Sequence, residues 1–188
     1  IQIKNKMLSS IGKNLLSSKK ILNISLYNLS IDKKVSENIS QGISKNKSLQ
    51  YLSIKNSKIP IDSYEILLKG LFSHDGIKFI DLSNNNLGYS GVDTLSNALK
   101  INKTIKKLNL FHNLFDVNGA RRLAEVLKIN TSLEELDIGY NRIKNAGFKS
   151  VLDSIKENKA LNLKFLGLKY NFVHDKILEE QLDAIEEN

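Results

Sequence analysis

Apolar residues recur along this chain in a single frame. In Leu133-Glu134-Glu135-Leu136-Asp137-Ile138-Gly139-Tyr140-Asn141-Arg142-Ile143 they stand at relative positions 1, 4, 6 and 11, with an asparagine at 9. The frame restarts at Ile21, Leu49, Ile77, Ile105, Leu133 and Leu163, a spacing of 28 residues four times and 30 once. A period in this range marks a stacked repeat, because so short a unit cannot bury its own apolar face and must lean on its neighbours.

Each frame has two halves. A short strand comes first, its inward positions filled by Ile24 and Leu26, Leu52 and Ile54, Ile80 and Leu82, Leu108 and Leu110, Leu136 and Ile138, Leu166 and Leu168, two residues apart as a strand requires. A loop and a helix follow. Ile39 and Ile43, Leu67 and Leu71, Leu95 and Leu99, Leu123 and Leu127, and Val151 and Ile155 are four apart, hence on one helical face. Asn46, Asn102, Asn130, Asn158 and Asn188 share the repeat position that closes each helix, with His74 the exception. A left-handed asparagine is expected there. Gly91, Gly119 and Gly147 share a position near the helix start, where helix and loop approach closely.

The ends depart from the pattern. Residues 1–20 carry Met7, Leu8, Ile11, Leu15 and Leu16 at helical spacing; they read as the helix of a partial repeat whose strand lies upstream in a longer parent protein. Residues 174–188 read as a C-terminal capping helix, Leu178, Leu182 and Ile185 inward and Glu179, Glu180, Asp183, Glu186 and Glu187 outward, since a solenoid needs a polar outer face to end on. The whole chain, 1–188, is expected to be one repeat domain.

Strands stack about 4.8 Å apart, whereas helices with their side chains are about 10 Å across. The predicted architecture is therefore an α/β solenoid bent into a horseshoe arc, with parallel strands lining the concave face and helices on the convex one. The frame asparagines Asn85, Asn113, Asn141 and Asn171 are expected to turn inward to backbone groups where each strand bends into its loop.

The spacing, the helix after each strand, and the phrase Leu127-Lys128-Ile129-Asn130-Thr131-Ser132-Leu133-Glu134-Glu135-Leu136 resemble the ribonuclease-inhibitor-like class of leucine-rich repeats. That class includes ribonuclease inhibitor, the sensor regions of NOD-like receptors, Ran GTPase-activating protein, tropomodulin and several axonemal proteins. The resemblance implies a scaffold presenting a curved surface to another protein. The GTPase-activating member uses an arginine in an early-repeat loop and an acidic C-terminal tail; here the first arginine is Arg121, so no activating residue carries over.

Positions 3, 5 and 7 of each frame point out of the concave face, and position 8 lies at its edge. They place Tyr27, Tyr51, Phe79, Phe111, Tyr140, Phe165 and Tyr170, seven of the 13 aromatic residues, where the fold does not need them. Aromatics of this kind belong to the buried centres of interfaces or to packing across strands. Phe79, Phe111, Tyr51 and Tyr140 are expected to form an anchor patch, with Lys55, Lys107, Asp81, Glu135 and Asp137 setting orientation and Lys169 alongside.

Composition removes other classes. There is no cysteine, hence no disulfide, thiolate zinc site or cysteine nucleophile, and no segment of membrane-spanning length or signal type; a cytoplasmic protein is the expectation. Asn-x-Ser/Thr triplets at Asn23, Asn28, Asn38, Asn46, Asn102 and Asn130 read as accidents of a chain rich in Asn and Ser. The net charge of +8 is uneven: residues 1–60 hold 11 Lys against Asp32 and Glu37, and the remainder is near neutral. That points to an acidic partner at the Lys-rich N-terminal end; without a nucleic-acid-binding motif, nucleic acid is not the expected partner.

His74, His112 and His174 lie in different units, so no metal triad converges, and His112, near the rim, reads as a surface histidine. Gly88-Tyr89-Ser90-Gly91 lacks the lysine of a phosphate loop. The expectation is a non-enzymatic module, without cofactor, metal or membrane, that binds a protein partner through its concave face. The alternatives are a structural subunit of a cytoskeletal, axonemal or ribonucleoprotein assembly and a GTPase-activating regulator.

Overall fold

Strand and helix alternate as the two periodicities require. The computed structural model describes residues 5–174, and for residues 5–9 the backbone alone. Helix α1 (Asn5–Ser17) precedes β1 (Asn23–Tyr27), α2 (Lys33–Lys45), β2 (Tyr51–Lys55), α3 (Ile61–Phe72), β3 (Phe79–Asp81), α4 (Gly88–Ile101), β4 (Lys107–Asn109), α5 (Val117–Leu127), β5 (Glu135–Asp137), α6 (Lys144–Glu157) and β6 (Phe165–Gly167). The expected capping helix over 174–188 falls, His174 apart, outside the described residues.

The strands pair in parallel in chain order, β1-β2-β3-β4-β5-β6. Ile24, Leu52, Ile80, Leu108, Leu136 and Leu166 are successive partners in one row. Slipping any strand by one residue would turn this row into solvent and bury the polar row beside it, so the apolar pattern locks the register. The longer last frame obeys the same rule: Leu136 pairs with Leu166, and the extra residues lie in the loop before β6. The helices pack behind this sheet, and the core between the two layers runs from Leu15 to Leu152. The result is the expected solenoid, strands on the concave face and helices on the convex one.

The inward asparagines form a ladder. Asn85, Asn113, Asn141 and Asn171 are buried. Each offers Oδ1 to a backbone N–H one repeat earlier: Ser57 N to Asn85 at 2.9 Å, Asn85 N to Asn113 at 3.1 Å, Asn113 N to Asn141 at 2.9 Å and Asn141 N to Asn171 at 3.0 Å. Each amide also donates to strand-end carbonyls, as Asn141 Nδ2 does to Leu110 O and Ile138 O. Where the second frame has serine, Ser57 Oγ accepts the N–H of Leu29 and donates to Lys55 O, a shorter version of the same link.

The helix-end asparagines differ from expectation. Asn46 and Asn102 are extended, with φ of −66° and −72°, and Asn158 has φ −92°, so none is left-handed. Their side chains explain the residue type instead. Asn46 Oδ1 accepts the N–H groups of Ser48 and Leu49, while its Nδ2 donates to Leu15 O and Ser18 O of the preceding unit. Asn130 and Asn158 repeat the cross-unit bonds, to Leu99 O and Leu127 O respectively. His74 imitates the inner half: Nδ1 accepts the N–H groups of Gly76 and Ile77 at 2.9 and 3.1 Å.

Helix spacing is set partly by glycine. A Cβ at Gly42 on α2 would lie 2.4 Å from Gly12 O on α1, and one at Gly70 on α3 would lie 2.6 Å from Ser40 O on α2. Small residues let these backbones meet directly. Gly91 and Gly119 serve the expected close approach at the helix start, lying under Leu87 and Phe115.

Candidate functional site on the concave face

The strand register brings side chains of equal frame position into rows across the concave face. In the position 3 row, Tyr51 and Phe79 are adjacent and their rings stack tilted at 4.6 Å. Lys107 and Glu135 follow, paired at 2.7 Å. Phe165 ends the row, exposed.

In the middle of the face, Lys55 Nζ meets Asp81 Oδ2 at 2.8 Å, and Asp81 Oδ1 accepts the N–H of Ser83 at 3.0 Å. Asp81 is buried. Its hydrogen bond to Lys55 raises the lysine pKa, against a smaller opposing effect of burial. Asp137 is likewise engaged, accepting the N–H of Gly139 at 2.9 Å. These charges are fixed in intramolecular contacts and do not project as free groups.

The edge of the face is more distinctive. The position 8 residues Asn28, Asn56, Asn84, His112, Tyr140 and Tyr170 all have positive φ, between 46° and 61°. The N–H groups of the first five bond to a carbonyl of the next unit, as Asn84 N does to Phe111 O and Tyr140 N to Lys169 O, and that bond holds the left-handed turn. Asparagine, and histidine to a lesser degree, suit this conformation; tyrosine adopts it at a cost. Along the edge, Asn56 Nδ2 donates to Asn28 Oδ1, and His112 Nδ1 lies 2.7 Å from Asn84 Oδ1. His112 then meets Tyr140 edge to face at 4.7 Å, and Tyr140 meets Tyr170 at 5.7 Å. Phe111 joins from the face, 5.6 Å from Tyr140, its ring over Gly139, where a Cβ would come within 3.0 Å. A polar half of the edge thus passes into an aromatic half.

The expected patch of Phe79, Phe111, Tyr51 and Tyr140 is therefore two patches. Tyr51 with Phe79 forms one; Phe111, Tyr140 and Tyr170 form the other, with His112 as the member that sequence reading left out. Reading position 8 as a column would have found it, since His112 stands between Asn84 and Tyr140 there. Tyr27 and Phe165 are exposed at opposite ends and join neither, and Lys169 is exposed beside Tyr170.

Among the described residues no group of three or more His, Asp or Glu is placed to hold a metal ion, and no helix is long and apolar enough to cross a membrane. A groove of about 760 Å³ opens at the end of the core between α6 and β6, lined by Phe148, Leu152, Leu166 and Leu168. It is the end of the core and reaches Phe165, Lys169 and Tyr170 of the concave face.

A family model for leucine-rich repeats matches residues 77–96 and 130–152, two stretches of the frame whose strands share one sheet. These stretches are leucine-rich repeats, and the parallel sheet with its helices is a leucine-rich repeat solenoid. No curated protein matches the sequence of this leucine-rich repeat chain. Among solved structures, the C-terminal domain of tropomodulin from Caenorhabditis elegans is similar over 95% of this chain and 91% of that one, with a TM-score of 0.60 and 14% identity. Actin-binding site 2 of leiomodin-1 is similar over 100% of this chain and 94% of that one, with a TM-score of 0.60 and 18% identity. At these identities the leucine-rich repeat fold is what is shared.

Proposed function

We propose that this leucine-rich repeat chain is a cytoplasmic protein-binding module that takes its partner on the concave face and has no enzymatic activity of its own. The 28-residue unit with a full helix supports the ribonuclease-inhibitor-like class. The observation that carries the reading is the run of rings Phe111, His112, Tyr140 and Tyr170 in mutual contact. Three of them occupy an edge position where the backbone favours asparagine. Tyr51 and Phe79 add a second anchor, and Lys55, Asp81, Lys107, Glu135 and Asp137, already paired or hydrogen-bonded, frame both. A surface ordered before binding loses less freedom on association.

A photo-crosslinking residue placed at Tyr140 or Phe79, with Glu37 on the convex α2 as control, tests this in cells that make the protein. The expected result is one partner captured from the concave positions and not from Glu37. Capture of a specific partner from Glu37 alone would reject the concave site.

The fold shared with leiomodin-1's actin-binding site 2 favours a second reading, a structural subunit of a cytoskeletal assembly. Co-sedimentation with actin filaments is its test; a chain that stays in the supernatant at micromolar filament concentration is not an actin-filament subunit.

A further inference from the structure

We propose that the C-terminal half of the concave edge takes an acidic peptide segment of a partner protein, with carboxylates set beside an aromatic or aliphatic side chain. This rests on the concave-face reading above and assigns its partner's chemistry.

The aromatic half of the edge is also where unpaired cations stand. Lys169, Arg142 and Lys144 are exposed and form no ion pair among the described residues. Lys169 O accepts the N–H of Tyr140, Arg142 follows Tyr140 by two residues, and Lys144, the first residue of α6, donates its N–H to Asn171 O next to Tyr170. Their placement is set by the same turns that hold Tyr140 and Tyr170 in the left-handed conformation.

The acids of the face are already used. Asp81 pairs with Lys55, Glu135 with Lys107, and Glu134 with both Lys106 and Lys164; the two lysines hold Glu134 below the ordinary carboxylate range, Lys164 foremost. Among the described residues, the exposed groups without an ion pair beside the rings are Lys169, Arg142 and Lys144, set against Asp137, whose carboxylate accepts the Gly139 N–H. Tyr140 and Tyr170 are 48% and 71% exposed, so an incoming apolar side chain can be buried against their joined rings while carboxylates reach the three cations.

A polyanion such as single-stranded RNA fits less well. Three cations make no continuous track, and Asp137 stands on the neighbouring strand without an ion pair among the described residues, where a regularly charged backbone would be repelled. A peptide can place a few carboxylates where the cations are and leave the rest uncharged. The basic N-terminal third does not compete for this role, because its edge positions hold Asn28 and Asn56 in place of rings.

The test selects a displayed library of random sixteen-residue peptides on the full chain. Binders are then measured on Tyr140→Asn/Tyr170→Asn, which restores the residue that Asn28, Asn56 and Asn84 supply at the same position, and on Arg142→Glu/Lys169→Glu. The expected binders carry two or more carboxylates flanking an aromatic or aliphatic residue and weaken at least about tenfold on each variant. Binders that need Tyr140 and Tyr170 but are neutral or basic would overturn the acidic partner and leave the concave site standing. Binders indifferent to both variants, or no enrichment, would count against both. Two further outcomes overturn the proposal alone: displacement of the peptides by a random single-stranded RNA pool, and a carbodiimide crosslink joining Lys144 or Lys169 to a carboxylate within residues 175–188 of the same chain.

Discussion

Asn141 Oδ1 accepts the backbone N–H of Asn113 at 2.9 Å, 28 residues earlier, while its amide donates to Leu110 O and Ile138 O at 3.1 and 3.0 Å. One buried side chain thus satisfies backbone groups of two units. Asn141→Leu keeps the volume and strands those groups. Each unsatisfied buried group costs roughly 1–3 kcal/mol, so a total loss of about 2–5 kcal/mol is expected in urea unfolding. Glu37→Ala, exposed on α2, should cost less than about 1 kcal/mol in the same assay.

His74 makes stability depend on mild acid. Its Nδ1 must be unprotonated to accept the N–H groups of Gly76 and Ile77. Burial lowers its pKa, opposed by Asp75 and the Asn46 carbonyl and assisted by Lys47. The folded form therefore binds the proton less readily than the unfolded form. The stabilising contribution is complete above the unfolded value of about 6.5 and is lost as pH falls below it, until the folded pKa is passed. His74→Asn supplies the residue used at Asn46 and Asn130, and should flatten the fall in urea midpoint between about pH 7 and pH 5. Equal slopes for the two proteins would remove His74 from the account.

Gly42 lies against the α1 backbone, with only 2.4 Å between its would-be Cβ and Gly12 O. Gly42→Ala gains helix propensity, close to 1 kcal/mol, but forces two backbones apart. Overpacking of this kind costs roughly 1–3 kcal/mol, so net destabilisation is expected, confined to the α1–α2 end. Hydrogen exchange should show faster opening of α1 with β5 unaffected, since repeats couple mainly to their neighbours.

Leu136 and Tyr140 separate folding from surface. Leu136 is fully buried in the inward row, and Leu136→Ala should lose about 2–5 kcal/mol. Tyr140→Asn relieves a non-glycine left-handed residue, φ 55°, worth roughly 1–2 kcal/mol, while removing three ring contacts. Its thermal midpoint should stay within a few degrees of the original. A large drop would mean that the edge rings hold the fold together.

The arc was legible in the chain because it follows from local periodicities repeated in register. Position 2 alternation makes strands, four-residue spacing makes helical faces, and 28 residues of identical loop and helix bring Leu108 beside Leu136 without further instruction. The inward asparagines were legible for the same reason, since a polar residue at a fixed buried position must answer backbone groups. What the tertiary structure decided lies between units. Asn46 closes its helix by reaching Leu15 O rather than by turning left-handed, because stacking of the units brings that carbonyl within 2.7 Å of its amide. Phe79 and Phe111 fall into separate ring groups, because a ring's neighbours depend on which way each side chain leans across a strand. The pairing of Asp81 with Lys55 and of Glu135 with Lys107 likewise depends on through-space distance. The sequence by itself determined which residues face out of the arc; only the packed structure decided which of them neutralise one another and which remain for a partner.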